Sequence, residues 1–218
     1  IEQRWFCEGM IKMKNHLIIS LLILSVGFSQ KLTEVVETYE NGNIKSITYH
    51  KKSRTGIEKV KYEQYYEYGQ KKIEETWKDG KKERLKTRWY ENGQKWFEET
   101  WKDGWEDGLW TWWYENGQKN KEGTYKDGKM DGLWTRWYEN GQNKTETTFK
   151  DGKGNGLATS WHENGQKDSE GTFKNGKPNG LVTSWHKNGQ KRNEATFKDG
   201  ELISAECWDE DGNEKECD

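Results

Sequence analysis

Two histidines, His162 and His186, each follow a serine by two residues, Ser160 and Ser184, and serine beside histidine is where a nucleophile–base pair would be sought. Both histidines stand where Tyr90, Tyr114 and Tyr138 stand at earlier 24-residue steps, so they read as substitutions at a strand end. Carboxylates are plentiful, but they return in register as turn residues, and no paired general acid and base stands out from solvated loop charge. The run Asp209-Glu210-Asp211-Gly212-Asn213-Glu214 has the oxygen density Ca²⁺ wants, yet its glycine falls too early for an EF-hand loop. Cys207 and Cys217 have no histidine near them in sequence, which leaves zinc without a ligand set. The glycine spacing contains no Walker or dinucleotide fingerprint. No catalytic residue, metal or cofactor is expected.

The two cysteines make better sense together. They lie five residues on either side of Gly212, so a hairpin with a loop over residues 211–213 would set them directly opposite, close enough for a disulfide. Such a staple would cap the last hairpin and contribute about 2–3 kcal/mol.

Binding chemistry must come from the aromatic residues. Leu, Ile, Val and Phe number only 32 of 218, and 34% of the chain is charged, a composition that points toward disorder. The 14 Trp and 10 Tyr, with a net charge of only −2, reverse that reading. The near balance of 36 basic and 38 acidic residues also lacks the basic excess that phosphate neutralisation needs, so nucleic acid is not an expected partner.

These side chains are positioned by repetition, which decides the fold. Tyr90-Glu91-Asn92-Gly93-Gln94-Lys95 returns from Tyr114, Tyr138, His162 and His186, and Lys78-Asp79-Gly80 returns at 102, 126, 150, 174 (as Lys-Asn-Gly) and 198. Degenerate copies begin at Tyr39, Tyr66 and Asp209. Asn-Gly and Asp-Gly tolerate the positive φ of type I′ hairpin turns, so each 24-residue period should hold two strands. The intervening Trp, Tyr, Thr and Phe suit strands. The expected fold is all-β: an elongated single-layer antiparallel β-meander, or solenoid, of hairpin repeats with roughly 15 strands.

Strand alternation sorts the faces. Leu recurs at 109, 133, 157 and 181, Thr two residues later, and Trp at 113, 137, 161 and 185; this column is expected to be the structural face. The opposite face carries Trp110, Trp112, Tyr114, Trp134, Arg136 and Tyr138, then drifts to Ala158, Ser160, Val182 and Ser184. Ten of the 14 Trp fall between Trp77 and Trp137, and those six residues are the candidate exposed binding strip, suited to protein contact or to stacking on sugar rings. A second ladder, Trp77, Trp101, Tyr125, Phe149, Phe173 and Phe197, joins either face depending on the turn before it.

At the N-terminus, residues 13–29 carry one Lys, an apolar run from Leu17 to Phe28, and Gly27 and Ser29 before Gln30, the layout of a secretory signal peptide. The run is too short for a stable transmembrane anchor. Translation is expected from Met10 or Met13, residues 1–29 to be removed, and residues 30–218 to form one β-repeat domain that is exported to the periplasm, outer surface or medium.

The units W-Y-E-N-G-Q-K and G-T-Y-K-D-G-K-x-D-G-L-W resemble bacterial MORN-type repeats, in the variant found in the YwqK-like antitoxin family. The resemblance implies a non-enzymatic β-meander scaffold, with a partner toxin for some relatives and phospholipid or protein contacts for others. The expected function is therefore an exported scaffold for a protein partner of unknown identity, with an antitoxin or immunity role, or glycan or phospholipid binding, as alternatives.

Overall fold

The computed structural model describes residues 32–54 and 56–217, together with the backbone of Leu17 and Ile18; the expected signal segment otherwise lies outside the described residues. In chain order the strands are β1 Leu17–Ile18, β2 Leu32–Thr38, β3 Ile44–Lys52, β4 Ile57–Tyr65, β5 Lys71–Lys78, β6 Lys81–Lys82 and β7 Arg84–Trp89. There follow β8 Lys95–Lys102, β9 Trp105–Trp113, β10 Lys119–Lys126, β11 Lys129–Trp137, β12 Asn143–Lys150 and β13 Lys153–Trp161. The last are β14 Lys167–Lys174, β15 Lys177–Trp185, β16 Lys191–Lys198, β17 Glu201–Trp208 and β18 Glu214–Lys215. Each pairs antiparallel with the next, except that β6 is a two-residue branch and β5 pairs onward with β7. The result is one open antiparallel meander.

The turns set its frame. At Lys126-Asp127-Gly128-Lys129 both central residues have positive φ, 46° and 76°, and the two lysines face each other; this is the two-residue type I′ turn expected of Asp-Gly. The Asn-Gly turn departs from expectation. Tyr114 N–H donates to the Gln118 carbonyl at 2.8 Å and Gly117 N–H to the Tyr114 carbonyl at 2.9 Å, closing a three-residue loop in which only Gly117 (φ 84°) is left-handed. The Asn116 side chain supplies the reason: its Oδ1 accepts the Gln118 N–H at 2.9 Å, which holds the loop without a second positive φ. The final hairpin follows the same frame, with Asp209 N–H donating to the Asn213 carbonyl at 2.9 Å. Its loop is thus residues 210–212, not 211–213, and Cys207 faces Lys215. Cys217, two residues further on, is the one disulfide-bonded to Cys207, across a Cα–Cα distance of 5.4 Å.

A third glycine per repeat decides the faces. Gly108, Gly132, Gly156 and Gly180 sit at φ between 81° and 121°, opposite Tyr125, Phe149, Phe173 and Phe197. Just beyond, the ladder steps by two: Thr124 faces Asp131 but Glu122 faces Thr135. An even step leaves every side chain on its own face, so the second aromatic ladder joins the face of Trp110 and Trp134. That face holds most of the core, where Trp134 is 3% exposed, Phe97 6% and Trp110 7%. The leucines expected to be structural are instead 51–55% exposed at 109, 133, 157 and 181; of their column, Thr111, Thr159 and Thr183 are buried.

Position 84 breaks the glycine pattern. Arg84 stands 24 residues before Gly108 and is forced to φ 67°, a conformation that costs a residue with a Cβ about 1–2 kcal/mol, and the strand is split there into β6 and β7. Arg84→Gly should therefore stabilise the protein by about 1 kcal/mol, as read from urea denaturation midpoints; an unchanged or lower midpoint would contradict this account of the break.

Candidate functional site

Most of the repeated polar side chains are spent on joining one repeat to the next. Tyr90, Tyr114 and Tyr138 donate their hydroxyls to the carbonyls of Trp113, Trp137 and Trp161 at 2.9, 2.8 and 2.7 Å. His162 and His186 place Nε2 at 3.1 and 3.0 Å from the carbonyls of Trp185 and Trp208, so an imidazole N–H performs the phenol's task. Beside them, Asn92, Asn116, Asn140, Asn164 and Asn188 donate to carbonyls in the loops one repeat on. Ser160 Oγ bonds the Asp168 carboxylate at 2.9 Å and lies 2.8 Å from the Ser169 hydroxyl, with no bond to His162. Burial raises the Tyr90, Tyr114 and Tyr138 phenols above their ordinary pKa, which extends their role as donors further into the alkaline range.

On the leucine face a ladder of carboxylates and threonines crosses the sheet. Glu98, Thr111, Glu122, Thr135, Glu146, Thr159, Glu170, Thr183 and Glu194 are successive cross-strand partners. Each of four glutamates is met by the lysine three residues before it, at 2.6 Å for Lys95, Lys119 and Lys167 and 2.5 Å for Lys191. Those lysines also lie over Trp113, Trp137, Trp185 and Trp208; Asn143 substitutes for the lysine beside Glu146 at 3.0 Å. Beside this neutralised ladder runs the exposed row Leu85, Leu109, Leu133, Leu157 and Leu181. Its step is two strands, about 9.5 Å.

The opposite face changes character along the array. Trp101, Trp110, Trp112, Tyr125, Trp134 and Phe149 form one chain of ring contacts with centroids 4.6–6.4 Å apart. The Nε1 groups of Trp110 and Trp134 donate to the carbonyls of Thr100 and Thr124 at 3.0 and 3.2 Å. Trp110 and Trp134 are thus core residues rather than an exposed strip, because the second aromatic ladder shares their face and covers them. Of the other strip residues, Trp112, Tyr114 and Tyr138 are half-buried and Arg136 is exposed. Arg136 faces Lys121 across the ladder. Burial, and then the Arg136 charge, lower the Lys121 pKa, and its ammonium lies over Trp112 and Trp134, 4.8 and 4.4 Å from the ring centroids.

One charged cluster was not legible in sequence. Glu63, 5% exposed, accepts from Tyr49 and Tyr65 hydroxyls at 2.7 and 2.9 Å and from the ammonium groups of Lys71 and Lys61, both at 2.9 Å. Burial works against its charge, but the four donors outweigh burial and hold the carboxyl far below the usual range. The same burial and the Glu63 bond push Tyr65 up to about 12. These donors come from three strands in the degenerate repeats; Lys71 keeps the 24-residue place of Lys95, but no such period marks Tyr49 and Lys61. The Asp209 carboxylate of the calcium-like run is used inside its own turn, accepting from the backbone and side chain of Asn213.

Five segments of the chain, residues 85–103, 106–127, 130–151, 155–175 and 178–199, match the MORN repeat variant. The chain therefore carries a tandem array of that repeat, and the family is a non-enzymatic repeat scaffold. No curated protein matches the chain.

Glu63 gives this part of the sheet a pH dependence. Its folded pKa lies far below the unfolded value of about 4.3, so its contribution is complete above about pH 5 and declines progressively as pH falls from there toward the folded pKa. Tyr65, raised to about 12, adds a loss of stability as pH climbs above about 10. Glu63→Gln should cost about 2 kcal/mol at pH 7 and flatten the acid limb of a stability–pH curve; an acid limb of unchanged slope would refute the assignment.

Proposed function

We propose that this array of MORN-variant repeats is an exported, non-enzymatic scaffold that holds a protein partner against its leucine face. The observation that carries this reading is the row of five leucines, 46–55% exposed at identical positions of successive repeats. Isolated surface leucines need no explanation, but here each leucine faces a threonine of the neighbouring strand, and a periodic leucine–threonine row flanked by charge suits a contact surface. Repeats of this family commonly serve protein or membrane contacts. The lysines beside the leucines are paired with the glutamates of the ladder, so this face offers no excess of basic charge, which is what an anionic membrane attracts, and protein is the favoured partner. Support for export comes from the signal-like residues 13–29 and from the Cys207–Cys217 disulfide, a bond that persists in oxidising compartments.

The test places a photo-crosslinking amino acid at position 133 or 157 of the full chain in its own cells, followed by fractionation and N-terminal sequencing. A chain beginning at Gln30 outside the cytoplasm and one discrete protein adduct, reduced at least tenfold by Leu109→Glu with Leu181→Glu, are expected. An uncleaved cytoplasmic chain would overturn export and turn attention to the antitoxin role; adducts unaffected by the leucine substitutions would overturn the face.

A further inference from the structure

The face opposite the leucines contains its own evidence for a ligand. Along its central row, Glu99, Trp110 and Gly123 are followed, beyond the bulge, by Trp134, Thr147, Ala158, Gly171, Val182, Ala195 and Ala205 as successive neighbours. In the first half of this row the space above the sheet is filled by the chain's own indoles. Trp134 lies flat over Gly123, so close that any Cβ at 123 would meet its ring. One repeat on, the residue at the Trp134 position is Ala158, and two repeats on it is Val182, although Gly171 keeps beneath Val182 the same bare backbone that Gly123 keeps beneath Trp134. Phe149 and Phe173 continue the aromatic wall unchanged.

What remains is a trough. One cavity of about 210 Å³ is lined by Lys121, Trp134, Arg136, Thr145, Thr147 and Phe149 among others. A second of the same size, about 210 Å³, continues it over Thr147, Ala158, Gly171, Phe173 and Val182. A void of about 150 Å³ already accepts a benzene ring. At its open end stand Lys121 and Arg136, directly opposed like charges, an arrangement that is unfavourable unless an anion joins it. Neither makes an ion pair among the described residues, whereas the lysines of the other face are met by glutamates.

We infer that this trough is a binding site for an acidic segment of a partner protein that carries an aromatic side chain, the ring lying above the small side chains of Ala158 and Val182 beside Phe149 and Phe173, in the space that an indole of the chain's own fills at Trp134, and a neighbouring carboxylate meeting Arg136 and Lys121. The inference rests on the scaffold reading and gives it a second address, with a stated ligand chemistry. The protein's own repeats define the fit: an indole, held by a phenylalanine wall on one side and by hydrogen bonding to the sheet below.

The experiment titrates the intact protein with three peptides, acetyl-Asp-Trp-Glu amide, acetyl-Lys-Trp-Lys amide and acetyl-Asp-Leu-Glu amide, following the Ala158 and Val182 methyl resonances. The acidic tryptophan peptide should shift both methyls saturably and bind at least tenfold more tightly than either control. Val182→Trp, which has Gly171 already beneath it, should fill the trough in cis and weaken binding at least tenfold; Thr147→Gly with Ala158→Trp does the same one repeat earlier should the first variant fold poorly. Arg136→Glu should reverse the preference between the acidic and basic tryptophan peptides. Absence of saturable shifts, shifts confined to other residues, or binding indifferent to the filled trough would overturn the site. A failed titration alongside a leucine-dependent adduct in cells removes this site alone, and failure of both removes the scaffold reading as well.

Discussion

A sheet one layer thick has nothing to pack against except itself, and that constraint governs the rest of this protein. Each hairpin can bury side chains only against the hairpins before and after it, so the features that hold the array together recur at the spacing of two strands, with the Glu63 cluster and the Cys207–Cys217 disulfide as local additions. Three devices meet the condition. The Asp-Gly and Asn-Gly loops return the chain without losing register, the bulge glycines give each strand an even step, and the Tyr or His at the loop mouth binds a carbonyl one repeat ahead. The glutamate–threonine ladder on one face and the indole chain on the other fill the sheet between them.

Much of this was legible in the residues, because repetition multiplies weak signals. Two turns per 24 residues, alternating strands and a single meander follow from the sequence. The sides of the sheet did not. Leu109 and Trp110 are adjacent and both apolar, and which of them is buried depends on whether the connection before Gly108 is odd or even in length, a fact carried by backbone torsion. The expected loop of the last hairpin was displaced by one residue because it was centred on Gly212 between the two cysteines, whereas the loop closed from Asp209 to Asn213 ends on the glycine, as the loop closed from Tyr114 to Gln118 does. The Glu63 cluster was invisible because its donors are brought together from different strands of the degenerate repeats.

Repetition also separates structure from function. A residue present in every repeat and bonded to the next one is explained by the array, as are the histidines that replace tyrosine. What the array leaves unexplained are exposed positions that repeat without a structural partner, the leucines, and positions where repeats depart from their neighbours, Ala158 and Val182 in place of Trp134. Both lie on broad faces of the sheet rather than in an enclosed pocket, which is where contact with another protein would form.

The central claim is that the 24-residue step is the structural unit, and its most direct test is excision. Removing residues 130–153, one full period, joins Lys129 to Gly154 in the same frame; removing residues 130–152 shifts everything downstream by one and inverts its faces. The account predicts that the first deletion folds cooperatively with the far-ultraviolet spectrum of a β-sheet and a lower denaturation midpoint, and that the second loses cooperative unfolding. Two deletions of equal stability, or a 24-residue deletion that fails to fold, would contradict it.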